Sequence, residues 1–123
     1  IKYNLVWQYI LGLDLFPDSV AQSELSYYIS QSNTYGVPLD SRGNLTKCDW
    51  MSWAAAMGDD TQASTIFTYL YNFANTSPSR VPFSDYYNTG TNEVIGFKAR
   101  PVMGGLYARA LLKGVQAGQV ASF

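Results

Sequence analysis

Five stretches of helical periodicity, joined by alternately short and long connections, constrain this chain more than any other feature. Residues 4–14 are apolar on nearly every side, through Leu5, Val6, Trp7, Ile10, Leu11 and Leu13, which predicts a helix buried all round. Pro17 then breaks the chain, and Asp18 can cap a second helix over roughly 18–32. Its inward stripe is Val20, Ala21, Leu25, Tyr28 and Ile29. Thr46 with Asp49 three residues on resembles a capping box, opening a helix over about 47–57 with the stripe Trp50, Trp53, Ala54 and Met57. After the turn Gly58-Asp59-Asp60, the residues Ala63, Ile66, Phe67, Leu70 and Phe73 mark a helix over about 61–75. Pro101 suits the first turn of a last helix carrying Met103, Leu106, Tyr107, Ala110 and Leu111. No stretch sustains period-two alternation, so at most one short strand is expected, around Val94–Phe97. The expected class is all-α: antiparallel helical hairpins in one domain over 1–123, with no internal boundary.

The uneven connections point to a functional face. The turns near Pro17 and Gly58 are short, whereas 33–45 and 77–100 are long. With helices alternating up and down, both long connections fall at the same end of the array. Structureless connections longer than about 12–15 residues are usually functional or disordered. Here both carry charge, Gly, Pro and aromatics, which argues against disorder. The stretch Tyr35 to Arg42, followed by Thr46-Lys47-Cys48-Asp49-Trp50, gathers two Asp, an Arg and a Lys in a protein whose charged content is only 14%. The second connection adds Ser84-Asp85-Tyr86-Tyr87 and Phe97-Lys98-Ala99-Arg100-Pro101.

Composition removes several function classes. A net charge of −1 supplies no basic stripe for nucleic acid and no polybasic patch for a membrane surface. The apolar runs are far shorter than the ~20 residues of a membrane helix. Histidine is absent and Cys48 is the single cysteine, so a Ser-His-Asp triad, a Cys-His pair and a Cys/His zinc site all lack parts within this chain. No ligand spacing argues for calcium, and neither metal nor cofactor is expected. Cys48 falls in the first turn of its helix, which is expected to lower its thiol pKa somewhat, although a lone cysteine is more often a small buried residue. Ten Tyr, six Phe and three Trp serve either as core or as the lining of a small-molecule or carbohydrate cleft. Two acceptor sequons, at Asn44 and Asn75, hint at secretion, the second weakened by Pro78. Ile1 begins in the middle of an apolar pattern, which suggests one piece of a longer protein.

The charged residues admit functional and structural readings alike. Asp40, Asp49 and Asp85 can supply general acid–base chemistry, and paired carboxylates are also glycosidase equipment. Arg42 and Arg100 can grip a carboxylate in a fork. Equally, Asp49 can cap its helix, Asp40 can hold its turn, and either Arg can pair with a nearby Asp. Gly104-Gly105, in the first turn of the last helix, suggests close approach by another backbone or by a ligand, and exposed amides there can hold an anion.

Lys2-Tyr3-Asn4-Leu5, Gly12-Leu13-Asp14-Leu15-Phe16-Pro17, Tyr35 to Arg42, Thr46 to Trp50, and Ala99-Arg100-Pro101-Val102 with Gly104-Gly105 together resemble the C-terminal region of the fungal glutaminase A family. The resemblance runs through nearly the whole chain in order. It implies a secreted, longer protein whose C-terminal part is a six-helical-hairpin (α/α)6 toroid, of which this chain supplies some hairpins while its flanks pack on the rest. Two departures stand out: Cys48 where the family pattern has Ser, and Leu106-Tyr107 where it often has His-Phe after the two glycines.

The implied reaction is hydrolysis of the glutamine side-chain amide to glutamate and ammonia. From residue chemistry, Asp49 or Asp85 suits the base, and Lys47 or Tyr86 a donor to the oxyanion or leaving group. Arg42 or Arg100 suits the α-carboxylate and Asp40 the α-ammonium, with Trp50, Gly104 and Gly105 completing the substrate-binding set. The expected partners are a small-molecule substrate, glutamine or a sugar, and the remainder of the parent polypeptide. A glycoside hydrolase of the same toroidal fold is the main alternative, and a purely structural portion of the toroid is the third.

Overall fold

A computed structural model describes residues 1–120. A 3-10 turn, Tyr3–Leu5, runs into α1, Val6–Ile10. The helix expected over 4–14 stops at Ile10 because Gly12 adopts φ 65° and the Leu13 N–H returns to the Gln8 carbonyl at 2.7 Å. That six-to-one bond over a left-handed glycine is a Schellman ending. Nor is this segment buried all round: Val6, Gln8 and Ile10 face inward, while Trp7 and Leu13 are exposed.

Helix α2, Asp18–Ser30, follows an extended Pro17 and buries Ala21, Leu25 and Tyr28. Asp18 is its first helical residue and makes no cap bond, contrary to expectation. Helix α3, Cys48–Ala56, and helix α4, Asp60–Thr76, form the central hairpin. The capping box sits on α4, not on α3. Asp59 accepts from the Gln62 N–H at 2.8 Å, and Gln62 accepts from the Asp59 N–H at 3.2 Å. At α3 the Thr46 hydroxyl is spent on the Val37 carbonyl at 2.6 Å, and no side chain caps the helix. The α4 stripe Ala63, Ile66, Leu70 and Phe73 is buried as its spacing requires. The expected α3 stripe is only half right. Ala54 and Met57 are buried, but so are Cys48, Met51, Ser52, Ala55 and Ala56, because α3 is wrapped on several sides. Trp50 and Trp53 are half-buried on its remaining flank.

The last helix also differs. Pro101–Tyr107 is a 3-10 helix that passes into α5, Ala108–Gln116. Three residues per turn instead of 3.6 rotates the inward face. Ala108 and Leu112 are therefore buried, while Tyr107 and Ala110 are exposed.

The two long connections meet. Strand β1, Leu45–Lys47, pairs antiparallel with β2, Tyr86–Asn88, in the register Leu45 with Asn88, Thr46 with Tyr87, and Lys47 with Tyr86. The Tyr35 N–H donates to the Thr89 carbonyl at 3.0 Å, and the Tyr87 hydroxyl to the Tyr35 carbonyl at 2.6 Å. Tyr87 stacks on Phe73 of α4 with ring centroids 3.7 Å apart, tying the ribbon to the helical core. Gly36, at φ 143°, lies so close to Met51 that a Cβ would come within 2.8 Å of its side chain. The protein is therefore mostly helical, in keeping with the expected class, and carries in addition a small two-stranded ribbon. At the strand anticipated near Val94–Phe97 there is a single bridge, between Val94 and Tyr87.

Candidate active site

The ribbon and the start of α3 gather the charge. Asp85, just before β2, is 0% exposed. Its carbonyl accepts the Cys48 N–H at 2.8 Å, which fixes where α3 begins. Its carboxylate is gripped by both sides of the Arg100 guanidinium, with Nε donating to Oδ1 at 3.1 Å and Nη2 to Oδ2. The Lys47 ammonium stands 4.0 Å from Oδ2. Lys47 also lies over three rings, 4.9 Å from Trp50, 5.3 Å from Phe97 and 5.8 Å from Tyr86. Phe97 carries the Arg100 guanidinium as well, at 3.9 Å. Two cations are thus held against aromatic faces around one fully buried carboxylate, Lys47 the more enclosed of the two and Arg100 partly exposed.

Asp49 is the unusual member. It lies in the first turn of α3, is 3% exposed, and its Oδ1 has no hydrogen-bond partner. Burial raises its pKa above the ordinary aspartate value, and the like charge of Asp85 adds to the rise. The Trp50 and Asp49 amides at the helix start and the Lys47 ammonium pull the other way, and burial prevails. Gly105 of the 3-10 segment lies directly against it: a Cβ there would stand 2.8 Å from the Asp49 Cβ and 2.6 Å from Trp53 Nε1. Close backbone approach was the reading of the glycine pair, and it holds for Gly105. Gly104 has nothing within 4 Å of its Cβ position. It borders an apolar cleft of about 210 Å³ with Val6, Trp7, Ile10, Trp53 and Leu111. Ala99, immediately before Arg100, is held at φ 50°, a conformation that non-glycine residues adopt at a cost.

Asp40 and Arg42 pair with each other. Arg42 donates through Nε and Nη2 at 2.9 and 2.6 Å, and through its own N–H at 2.9 Å. These bonds hold the Asp40 carboxyl down to about 2. The pair is exposed and flanks a hollow of about 310 Å³ whose wall includes Tyr86. Tyr86 thus touches both this hollow and the neighbourhood of the Lys47 ammonium. Trp50 stacks on Tyr3 at 4.0 Å, and Trp53 lies 5.4 Å from both Tyr3 and Trp7, which extends an aromatic ridge away from the charges.

Cys48 departs from expectation. Its thiol is buried and directed at the Ser84 carbonyl at 3.4 Å. Burial pushes its pKa up rather than down, with Asp49 and Asp85 reinforcing the rise. Asn44 and Asn75 are both exposed. Among the described residues, no group of three or more His, Cys, Asp or Glu is placed to hold a metal ion. Among the same residues, no helix is long and apolar enough to cross a membrane.

Nothing in the sequence marks Tyr3 as the stacking partner of Trp50, nor Ser52 as an anchor, its hydroxyl donating to the Leu106 carbonyl at 3.0 Å. Phe97, adjacent in sequence to Lys98 and near Arg100, is placed with the charges by that local spacing, and the structure sets its ring against both Lys47 and Arg100.

Residues 1–110 match the family model described as the glutaminase A six helical-hairpin domain. The chain is 38% identical over 115 residues to "Glutaminase A" of Aspergillus oryzae, covering 91% of this chain and 17% of that protein. It is 33% identical over 95 residues to "Probable glutaminase" of Arthroderma benhamiae, covering 75% of this chain and 11% of that protein. No solved structure matches the chain. With the family model matching from the first residue through Ala110, this chain belongs to the glutaminase A six helical-hairpin domain family.

Proposed function

We propose that this chain forms part of an (α/α)6 toroid in a secreted, glutaminase-like amidohydrolase that converts L-glutamine to L-glutamate and ammonia. The observation that carries this reading is the buried Asp49 carboxyl, its Oδ1 without a protein partner, near two aromatic-held cations, in a chain whose relatives are named glutaminases. Asp85 has both oxygens committed to Arg100, so it acts as the counter-ion that positions Arg100 and Lys47. Asp49 keeps a free oxygen and a pKa shifted toward neutrality, as general acid–base work requires. It takes a proton from water as that water attacks the side-chain carbonyl carbon, then returns it to the departing nitrogen, releasing ammonia. Lys47 stabilises the oxyanion, while Arg100 attracts the α-carboxylate. Trp50 and Tyr86 wall the site. The Asp40–Arg42 pair lies beyond Tyr86 at the rim and meets the α-amino end.

The aromatic ridge of Tyr3, Trp50, Trp53 and Trp7 favours a second reading, a glycoside hydrolase of the same toroidal architecture. Ammonia release from L-glutamine by the full-length protein, assayed beside a panel of aryl glycosides, separates the two. Ammonia release with inert glycosides supports the amidohydrolase. Sugar release with inert glutamine overturns it.

A further inference from the structure

We propose that Gly105 is a positioning residue: by having no side chain it lets the Pro101–Tyr107 segment lie directly on Asp49, keeping the Oδ1 of that carboxyl buried and free of a protein partner. The inference deepens the proposed function and rests on its assignment of Asp49 as the acid–base group. A Cβ at position 105 would come within 2.8 Å of the Asp49 Cβ, 2.6 Å of Trp53 Nε1 and 3.3 Å of the Asp49 Cα, the last a backbone atom that cannot swing aside. The contact is thus a seal of the Gly105 backbone against the Asp49 Cα–Cβ bond and the edge of the Trp53 ring. The Ser52 hydroxyl fastens the segment from beneath by donating to the Leu106 carbonyl at 3.0 Å. At the upstream end Arg100, gripping Asp85, and the strained Ala99 fix where the segment enters. A seven-residue 3-10 run is longer than the usual three or four, and it places Gly105 on α3 where an α-helix would have rotated it away.

The charges that face Asp49 come from a few places only. Lys47 belongs to β1, Asp85 precedes β2, and Arg100 precedes the 3-10 segment. The Tyr3–Leu5 turn, α1 and the 3-10 segment contribute only Tyr3, Tyr9 and Tyr107 as titratable side chains. The charges of α4 and α5, namely Asp60, Arg109 and Lys113, are tied together at the opposite end of α3. Access of water along the Gly105 seal is therefore the main variable that sets how easily Asp49 ionises.

The test is a cycle in the full-length protein: wild type, Asp49→Asn, Gly105→Ala and the double variant, each followed by thermal unfolding across pH and by kcat for ammonia release across pH. If the seal holds, Asp49→Asn raises the unfolding midpoint increasingly as pH rises, and Gly105→Ala largely abolishes that pH-dependent gain. Gly105→Ala also moves the Asp49 limb of the kcat profile to lower pH and lowers kcat at least tenfold. Ser52→Ala, which loosens the segment without overpacking it, shifts the limb in the same direction and keeps the test available if Gly105→Ala does not fold. An unchanged pH-dependent gain in both backgrounds overturns the seal, whatever the activity does. Coupling in stability with no Asp49 limb in ammonia release supports the seal and overturns the catalytic reading of Asp49.

Discussion

Asp49 lies in the first turn of α3 and Asp85 meets the same helix start through its carbonyl; both are buried acids, yet their surroundings give them opposite tasks. Asp85 has its charge compensated by Arg100 and Lys47, so it belongs to the framework. Replacing it with Ala leaves two cations without a counter-ion and should cost about 2–3 kcal/mol, below the full cost for a completely buried pair because Arg100 is partly exposed. Urea unfolding of the variant checks this. Asp49 is uncompensated, and its raised pKa fixes the sign of its pH effect. The folded state holds the proton more tightly than the unfolded state. Stability is therefore lost as pH rises from the ordinary aspartate range through the raised value, and is level above it. Asp49→Asn should leave stability unchanged at about pH 3 and raise it by roughly 1–3 kcal/mol at about pH 8. A gain at acid pH, or none at alkaline pH, would show that folding does not raise the carboxyl's pKa. The charged residues themselves were legible in the sequence, because they concentrate in two loops of a charge-poor chain. Which of them pair was not, since Asp85 and Arg100 are brought together only by the turn of the chain between them, and Lys47 by a strand from another loop.

At the scale of elements, α2 and α4 were readable because a proline, the Gly58-Asp59-Asp60 turn and a long apolar stripe each speak locally. Asp59 anchors α4 on the side of the hairpin away from the charged cluster. Asp59→Ala should cost about 1 kcal/mol in thermal unfolding while ammonia release stays at the wild-type rate. The expected box at Thr46–Asp49 had the right spacing, but the tertiary fold gives the Thr46 hydroxyl to Val37. The two strands escaped notice because three residues each are too few to display a period of two, and their pairing joins segments about 40 residues apart in sequence. Likewise, nothing local to Pro101–Tyr107 announces a 3-10 helix. Its two glycines weaken α-helical preference without specifying what replaces it.

For the whole molecule, the exposed apolar side chains matter most. Leu13, Leu15 and Phe16 project from the loop between α1 and α2, where the buried Gln8 amide clasps Phe16 by bonds of 3.1 and 3.0 Å. If this chain is one part of a longer polypeptide, as proposed above, a loop held this firmly with its apolar side chains outward suits contact with the remainder; the chain spans 17% and 11% of the relatives it matches. In the full-length protein, Leu15→Ser should then cost about 1–2 kcal/mol, as for a covered leucine. A change within about 0.5 kcal/mol, as for ordinary surface positions, would mean that the loop faces solvent.

The most direct test of the account is the rate of ammonia release from L-glutamine by full-length Asp49→Asn at neutral pH, measured beside wild type. The account predicts a fall of about 10²–10⁴-fold in kcat, the usual worth of a general acid–base group, with the fold kept and its stability raised. A folded Asp49→Asn protein that releases ammonia at a rate within about twofold of wild type would contradict it.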